Sequence, residues 1–168
     1  TNEAKSPIIK DFKDSKLIYF RQALKDVLLN LAKRVAGDGE GASKFISIKC
    51  KNTKTEHDAR NVCFSIANSP LVKTAIAGED PNWGRIAMAI GKSSAKIDVK
   101  KLSINIGPFK VLVKGNLFQG YDEKIVTEYM QNELIDITVD IGLGKKDFTA
   151  YTMDLTKKYI DINADYRS

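Results

Sequence analysis

The stretch "LIDITVDIG" at residues 134–142 alternates without a break. Ile135, Ile137, Val139 and Ile141 fall on one side, and Asp136, Thr138 and Asp140 on the other. Side chains of a strand point to opposite faces with period two, so this pattern demands a strand with one covered face and one wet face. Such a strand is ordinary in antiparallel sheets and unusual in parallel ones, which bury both faces. "DFTAYTMDL" is the expected partner across "GLGKK". Any fold of this chain must therefore supply a layer of apolar side chains against that face.

Helical period supplies it. In "LIYFRQALKDVLLNLAKRVAGDGEG", Phe20, Leu24, Val27, Leu28, Leu31 and Val35 share one stripe. Lys33 and Arg34 complement the dipole at its C-terminal end, and Gly37 and Gly39 stop the helix. "KFISIKC" (44–50) reads as a strand with Ile46, Ile48 and Cys50 inward. Thr55 opens a helix to about Ala67, with Ala59, Val62, Cys63 and Ile66 inward, and Ser69-Pro70 restricts its continuation. "AKIDVKKLSINIG" and "FKVLVKG" add strand-like segments, the second with Phe109, Val111 and Val113 on one side. "YDEKIVTEYMQN" is a short helix with Asp122 as N-cap and Ile125, Tyr129 and Met130 among its apolar positions. In "GEDPNWGR" (78–85), Pro81 and Gly84 shape the entry to an "RIAMAIG" helix with Asn82 as N-cap, and Trp83 fills an apolar gap. The class is α+β with mostly antiparallel strands. Residues 1–16 form an irregular arm and 17–168 a single α+β domain, with two lobes meeting near 92–97 as the alternative.

Charge and composition exclude several functions. The net charge is +6, but it is carried mostly by Lys scattered among acids, with no Arg block or basic-aromatic alternation, so nucleic acid is not expected. No apolar run of about 18 residues exists, so no membrane span is expected. The first 16 residues have no apolar core and are not read as a signal peptide. The chain opens on Thr1, as expected of a processed or truncated chain or one subunit of a precursor. Cys50 and Cys63 suit a reducing compartment, here the cytoplasm, and neither has partners at metal-ligand spacing. His57 reads as a surface residue.

Three features are left for chemistry. "GDGEG" (37–41) is a helix stop and turn, or a loop that cradles a ligand. It lacks the Lys and Ser/Thr of a phosphate loop, and Glu40 opposes phosphate, so the functional alternative is a carboxylate aimed at an ammonium group. An N-terminal Thr can serve as nucleophile and base in one residue, but no buried strand follows Thr1 to hold it rigid. The terminus "INADYRS" is polar, with Tyr159, Ile160 and Ile162 available to anchor the approach to it.

"DGEGASKF" (38–45), "IANSPLVKTAIAGEDPNWGRIAMAIG" (66–91) and "MDLTKKYIDINADYRS" (153–168) resemble the ornithine acetyltransferase, or glutamate N-acetyltransferase, family of arginine biosynthesis. The resemblance covers roughly residues 20–168. It implies a layered α/β sandwich of the self-processing, Thr-nucleophile type. It implies a precursor cut before a Thr into α and β chains, with this chain the β chain or its C-terminal portion. The acetyl group would pass from N-acetylornithine to glutamate through an acetyl-Thr intermediate, with some members also accepting acetyl-CoA and no other cofactor. The implied partners are the α chain and a second αβ pair, with the oxyanion hole on the α chain. Family β chains place an apolar strand and a "STND" segment before the first long helix; here "TNEAKSP" stands directly before it. The nucleophilic Thr is therefore expected upstream of Thr1. Matched residue by residue, the resemblance assigns substrate binding to Glu40, Asn163 and Ser168. A different class remains beside it: a non-catalytic fragment that folds on an α-like partner.

Overall fold

The structure, a computed structural model, describes residues 8–165, and divides after Val35 into two compact units. In the first unit, a 3-10 turn at Ser15–Leu17 is capped by Asp14 and leads into α1, Ile18–Gly37. The whole apolar stripe foreseen for α1 is exposed, with Phe20 at 61%, Leu28 at 56% and Leu31 at 52%. Helical period showed that a stripe exists; it could not show what covers it.

The second unit is built on one sheet. Its strands are β1 (Phe45–Thr53), β2 (Ser103–Ile106), β3 (Phe109–Val113), β4 (Asn116–Leu117), β5 (Leu134–Asp140) and β6 (Lys146–Met153). They lie in the order β4-β3-β2-β5-β1-β6. The helices are α2 (Glu56–Ala67), α3 (Pro70–Ala77), α4 (Trp83–Lys92), α5 (Glu123–Met130) and α6 (Lys157–Ala164). Ile46, Ile48, Ile104, Ile106, Ile135, Ile137 and Val139 bury one face of the sheet against Val62, Cys63 and Ile66 of α2 and Ile86 and Ile90 of α4. Ile48→Ala would cost about 2–5 kcal/mol in such a core.

Two expectations need correction. The sheet is mixed, not uniformly antiparallel, because its β1–β5 pair runs parallel: Ile46 lies beside Ile135 and Ile48 beside Ile137. β2 and β6 then pair antiparallel on either side of that core. And β6 is not the partner of β5; β1 lies between them. The connection from β5 passes over the end of β1. Ile141 N–H donates to the Lys51 carbonyl at 3.1 Å, and the N–H groups of Leu143 and Gly144 donate to the Asn52 carbonyl at 2.8 Å. Asn52 takes φ +59° at this point, and its side chain donates to the Asp140 carboxylate at 2.9 Å. A short loop between two alternating strands looks like a hairpin in sequence; here backbone pairing to a third strand wins.

Local signals held elsewhere. Thr55 caps α2, its Oγ1 accepting from Asp58 N–H at 3.0 Å. Asn82 caps α4, its Oδ1 accepting from Arg85 N–H at 3.2 Å. Ser69-Pro70 ends α2 but also starts α3, with Ser69 as N-cap and Pro70 in the first turn, where its missing N–H costs nothing. Of residues 95–107 only 103–106 are strand, and Val99–Lys101 is a 3-10 turn. In α5 it is Val126, not Ile125, that joins Met130 in the core.

Candidate functional site

α1 stops at Gly37, and residues 38–44 lead into β1 as a polar loop. Gly39 accepts from Ala42 N–H at 3.0 Å, which closes a turn with Glu40 and Gly41 inside it. Gly41 sits at φ +69°, and a Cβ there would lie 2.7 Å from the backbone nitrogen of Tyr159. Only glycine allows the loop to pass this close to the start of α6. The turn therefore presents Glu40, exposed, beside α6.

α6 follows the end of β6 and carries Asn163 on its last turn. Asn163 Nδ2 donates to Glu40 Oε2 at 2.8 Å and to the Tyr159 carbonyl at 2.9 Å. Both amide protons are thereby spent, and the remaining function of this side chain is its Oδ1 acceptor. A carboxylate with further lone pairs and an amide oxygen thus face outward from one spot. That pair suits an ammonium or amide donor. Tyr159, Ile160 and Ile162, foreseen as anchors, are exposed at 39%, 62% and 39%, and so give this helix an apolar outer surface next to the pair. Ser168 and Thr1 lie outside the described residues.

The floor of the site comes from residues that spacing could not single out. Asp154, 2% exposed, accepts three hydrogen bonds from the loop: Ser43 N–H at 2.8 Å, Lys44 N–H at 3.0 Å, and Ser43 Oγ at 2.5 Å. Thr156 Oγ1 donates to the Gly41 carbonyl at 2.6 Å. Lys44, buried, reaches Glu79 Oε1 at 3.5 Å and the Asn132 carbonyl at 3.3 Å, which ties the loop to the "GED" segment before α4. These partners are separated by 35 to 115 positions, so no local pattern marks them.

The remaining candidates carry no site. His57 is exposed and lies 3.1 Å from the Asn61 amide. Cys50 and Cys63 are buried free thiols in the core. Among the described residues no group of His, Cys, Asp or Glu could hold a metal ion, and no helix is long and apolar enough to cross a membrane.

Comparison with known proteins gives the family. The profile described as "ArgJ family" matches residues 2–168. The chain is 48% identical over 160 residues to the arginine biosynthesis bifunctional protein ArgJ of Rhizobium meliloti, covering 95% of this chain and 39% of that protein. Against the protein of the same name from Bradyrhizobium diazoefficiens it is 49% identical over 163 residues, covering 97% and 40%. It superimposes on the crystal structure of arginine biosynthesis bifunctional protein argJ from Bacillus halodurans with a TM-score of 0.91 at 34% identity, covering 98% of this chain and 77% of that one. The chain thus spans about two fifths of the length of these curated relatives, and it belongs to the ArgJ family.

Proposed function

We propose that the protein carrying this chain moves an acetyl group from N-acetylornithine to glutamate, and that Glu40 and Asn163 help hold these amino acids. The observation that carries the reading is the Asn163–Glu40 hydrogen bond, which joins two residues that the family resemblance assigns to substrate. The chemistry is a two-step exchange. A Thr hydroxyl, contributed from outside this chain, attacks the acetyl carbonyl of N-acetylornithine. The C–N bond breaks, ornithine leaves with the proton on its amine, and an acetyl-Thr ester remains. The glutamate amine then attacks the ester, N-acetylglutamate leaves, and the hydroxyl is restored. Acetyl-CoA can load the same ester as a thioester donor. No other cofactor enters this scheme: the acetyl group arrives on an amide nitrogen, is held between the two steps as a Thr ester, and leaves on an amine.

In this reading Glu40 pairs with a substrate ammonium, and the Asn163 Oδ1 accepts from an amine or amide N–H. Ser168 adds a hydroxyl contact. The partners are an α chain and a second αβ pair. The exposed stripe of α1 supports a partner, since an isolated helix gains most of its stability from covering such a face.

The test uses the full protein and measures acetyl exchange between N-acetylornithine and glutamate. Glu40→Ala is expected to lower kcat/KM about 100-fold while leaving the melting temperature near that of the parent, in line with the loss of one charged contact at the reacting group. Deletion of Ser168 is expected to weaken substrate use as well. Full activity of a folded Glu40→Ala protein would remove this residue from the site. The stripe on α1 also favours a second reading, an assembly module without chemistry of its own. Mass spectrometry of the purified protein separates the two: a co-purifying α chain with exchange activity supports the enzyme, and an α-bound assembly that never exchanges acetyl supports the module.

A further inference from the structure

We propose that Asp154 is a positioning residue that holds Glu40 and Asn163 in one fixed geometry. This rests on the substrate-binding role proposed for that pair. Glu40 stands on a solvent-facing turn and Asn163 on the last turn of α6, and both side chains are exposed. A hydrogen bond between two such side chains gives no fixed site unless their backbones are tied together. The tie is built from the interior. Asp154 is among the few buried charged residues, and all three bonds to its carboxylate come from Ser43 and Lys44, just after the Glu40 turn. Its own N–H returns a bond to the Lys44 carbonyl at 3.1 Å. A carboxylate receiving three such donors fixes its partners strongly, because a charged acceptor makes bonds roughly twice as strong as a neutral one.

The second half of the tie lies two residues on. Thr156 is the N-cap of α6, where a Thr hydroxyl normally accepts from its own helix. Here it makes no such cap and donates instead to the Gly41 carbonyl. The start of α6 is thus stitched to the Glu40 turn at the expense of the helix's own cap. Asp154 and Thr156 together set the distance between the turn and the helix, and so the place where the Glu40 carboxylate and the Asn163 amide meet.

The experiment is a double-mutant cycle in the full protein, read as kcat/KM for acetyl exchange together with the melting temperature. Asp154→Ala is expected to lower kcat/KM by roughly 10- to 100-fold, the scale of a misplaced contact group. Asp154→Asn is expected to rescue most of it. Its Oδ1 keeps both backbone N–H bonds, and its Nδ2 donates to Ser43 Oγ, which reverses its role. In a Glu40→Ala background Asp154→Ala should cost little more, because it acts through Glu40; a purely structural residue would cost as much in either background. Equal losses in both backgrounds, or full activity of a folded Asp154→Ala protein beside a damaged Glu40→Ala one, would overturn the proposal. Normal kinetics of Glu40→Ala would overturn the substrate reading on which it stands. Should Asp154→Ala not fold, Thr156→Val takes its place in the cycle with the same two criteria.

Discussion

Asn163 Nδ2 lies 2.8 Å from Glu40 Oε2, although 123 positions separate the two residues. The bond makes a direct prediction about charge. Asn163→Asp replaces the donor by a second carboxylate at the same place. Two carboxylates at this separation repel and the hydrogen bond is lost, so the two side chains should move apart. Acetyl exchange is expected to fall, and Asn163→Ala, which removes the bond without adding charge, should cost less. Equal losses in the two variants would mean that charge repulsion plays no part at this spot.

The "GEDPNWGR" segment is expected to matter for stability before catalysis. Trp83 packs half-buried against the core at the start of α4. Arg85 Nη1 donates to the Leu71 carbonyl at 2.9 Å and so ties α4 to α3. Trp83→Phe should lower stability by about 1 kcal/mol, typical of a point change at a packed site. Asn82→Ala should cost about 1 kcal/mol through the lost cap. Urea denaturation measures both, and exchange kinetics should stay close to those of the parent. A stable Trp83→Phe protein with little turnover would place the loop in the active site instead.

Sequence revealed what is local and hid what is shared between distant segments. The caps at Thr55, Asn82 and Asp122, the α2 face of Ala59, Val62, Cys63 and Ile66, and the alternation of β5 each follow from a few neighbouring residues, and each is present in the structure. Pairing is different. Nothing in residues 134–153 says that β1, about 90 positions upstream, lies between β5 and β6, because alternation within a strand marks its buried face and not its neighbour. A Ser-Pro pair fits the stop of one helix and the start of the next equally well, so residues 70–77 do not stand out as a helix in the sequence. At the site, family resemblance pointed to Glu40 and Asn163, while Asp154, Ser43 and Thr156 became visible only where the fold brought them together.

Cys50 and Cys63 are expected to be inert in the native protein. Both are fully buried, and Cys63 Sγ donates to the Ile48 and Phe148 carbonyls at 3.4 Å. The hydrogen bond with Cys63, with burial added, holds the Cys50 thiol above its ordinary range; the same contact lowers Cys63, and it is complete burial that keeps that sulfur from reagents. The thiolate is the reactive species. Alkylation mapped by mass spectrometry should leave both cysteines unmodified in the native protein and label both in denaturant. Rapid native labelling of Cys50 would show that the core opens far more often than its packing implies.

Gly107 and Tyr129 form the last testable relationship. Gly107 turns the chain between β2 and β3 at φ +55°, and a Cβ there would run into the Tyr129 ring. Gly107→Ala should cost about 1–2 kcal/mol for the left-handed backbone alone, with the ring clash on top. Tyr129 in turn accepts from Asp136 N–H at 3.0 Å and packs edge-on against Phe109 at 6.0 Å. Burial pushes its phenol above the ordinary range, against a smaller opposing effect of the Asp136 N–H bond. A phenol whose pKa is higher folded than unfolded favours the fold in its neutral form. That contribution is complete below the unfolded value, about 10, and is lost as pH rises through the folded value. Tyr129→Phe should therefore cost about 1 kcal/mol at pH 8 through the unpaired Asp136 N–H. It should also lose less stability than the parent between pH 8 and pH 11. Urea denaturation at the two pH values checks this: parallel losses in parent and variant would mean that Tyr129 titrates as freely in the fold as in the unfolded chain.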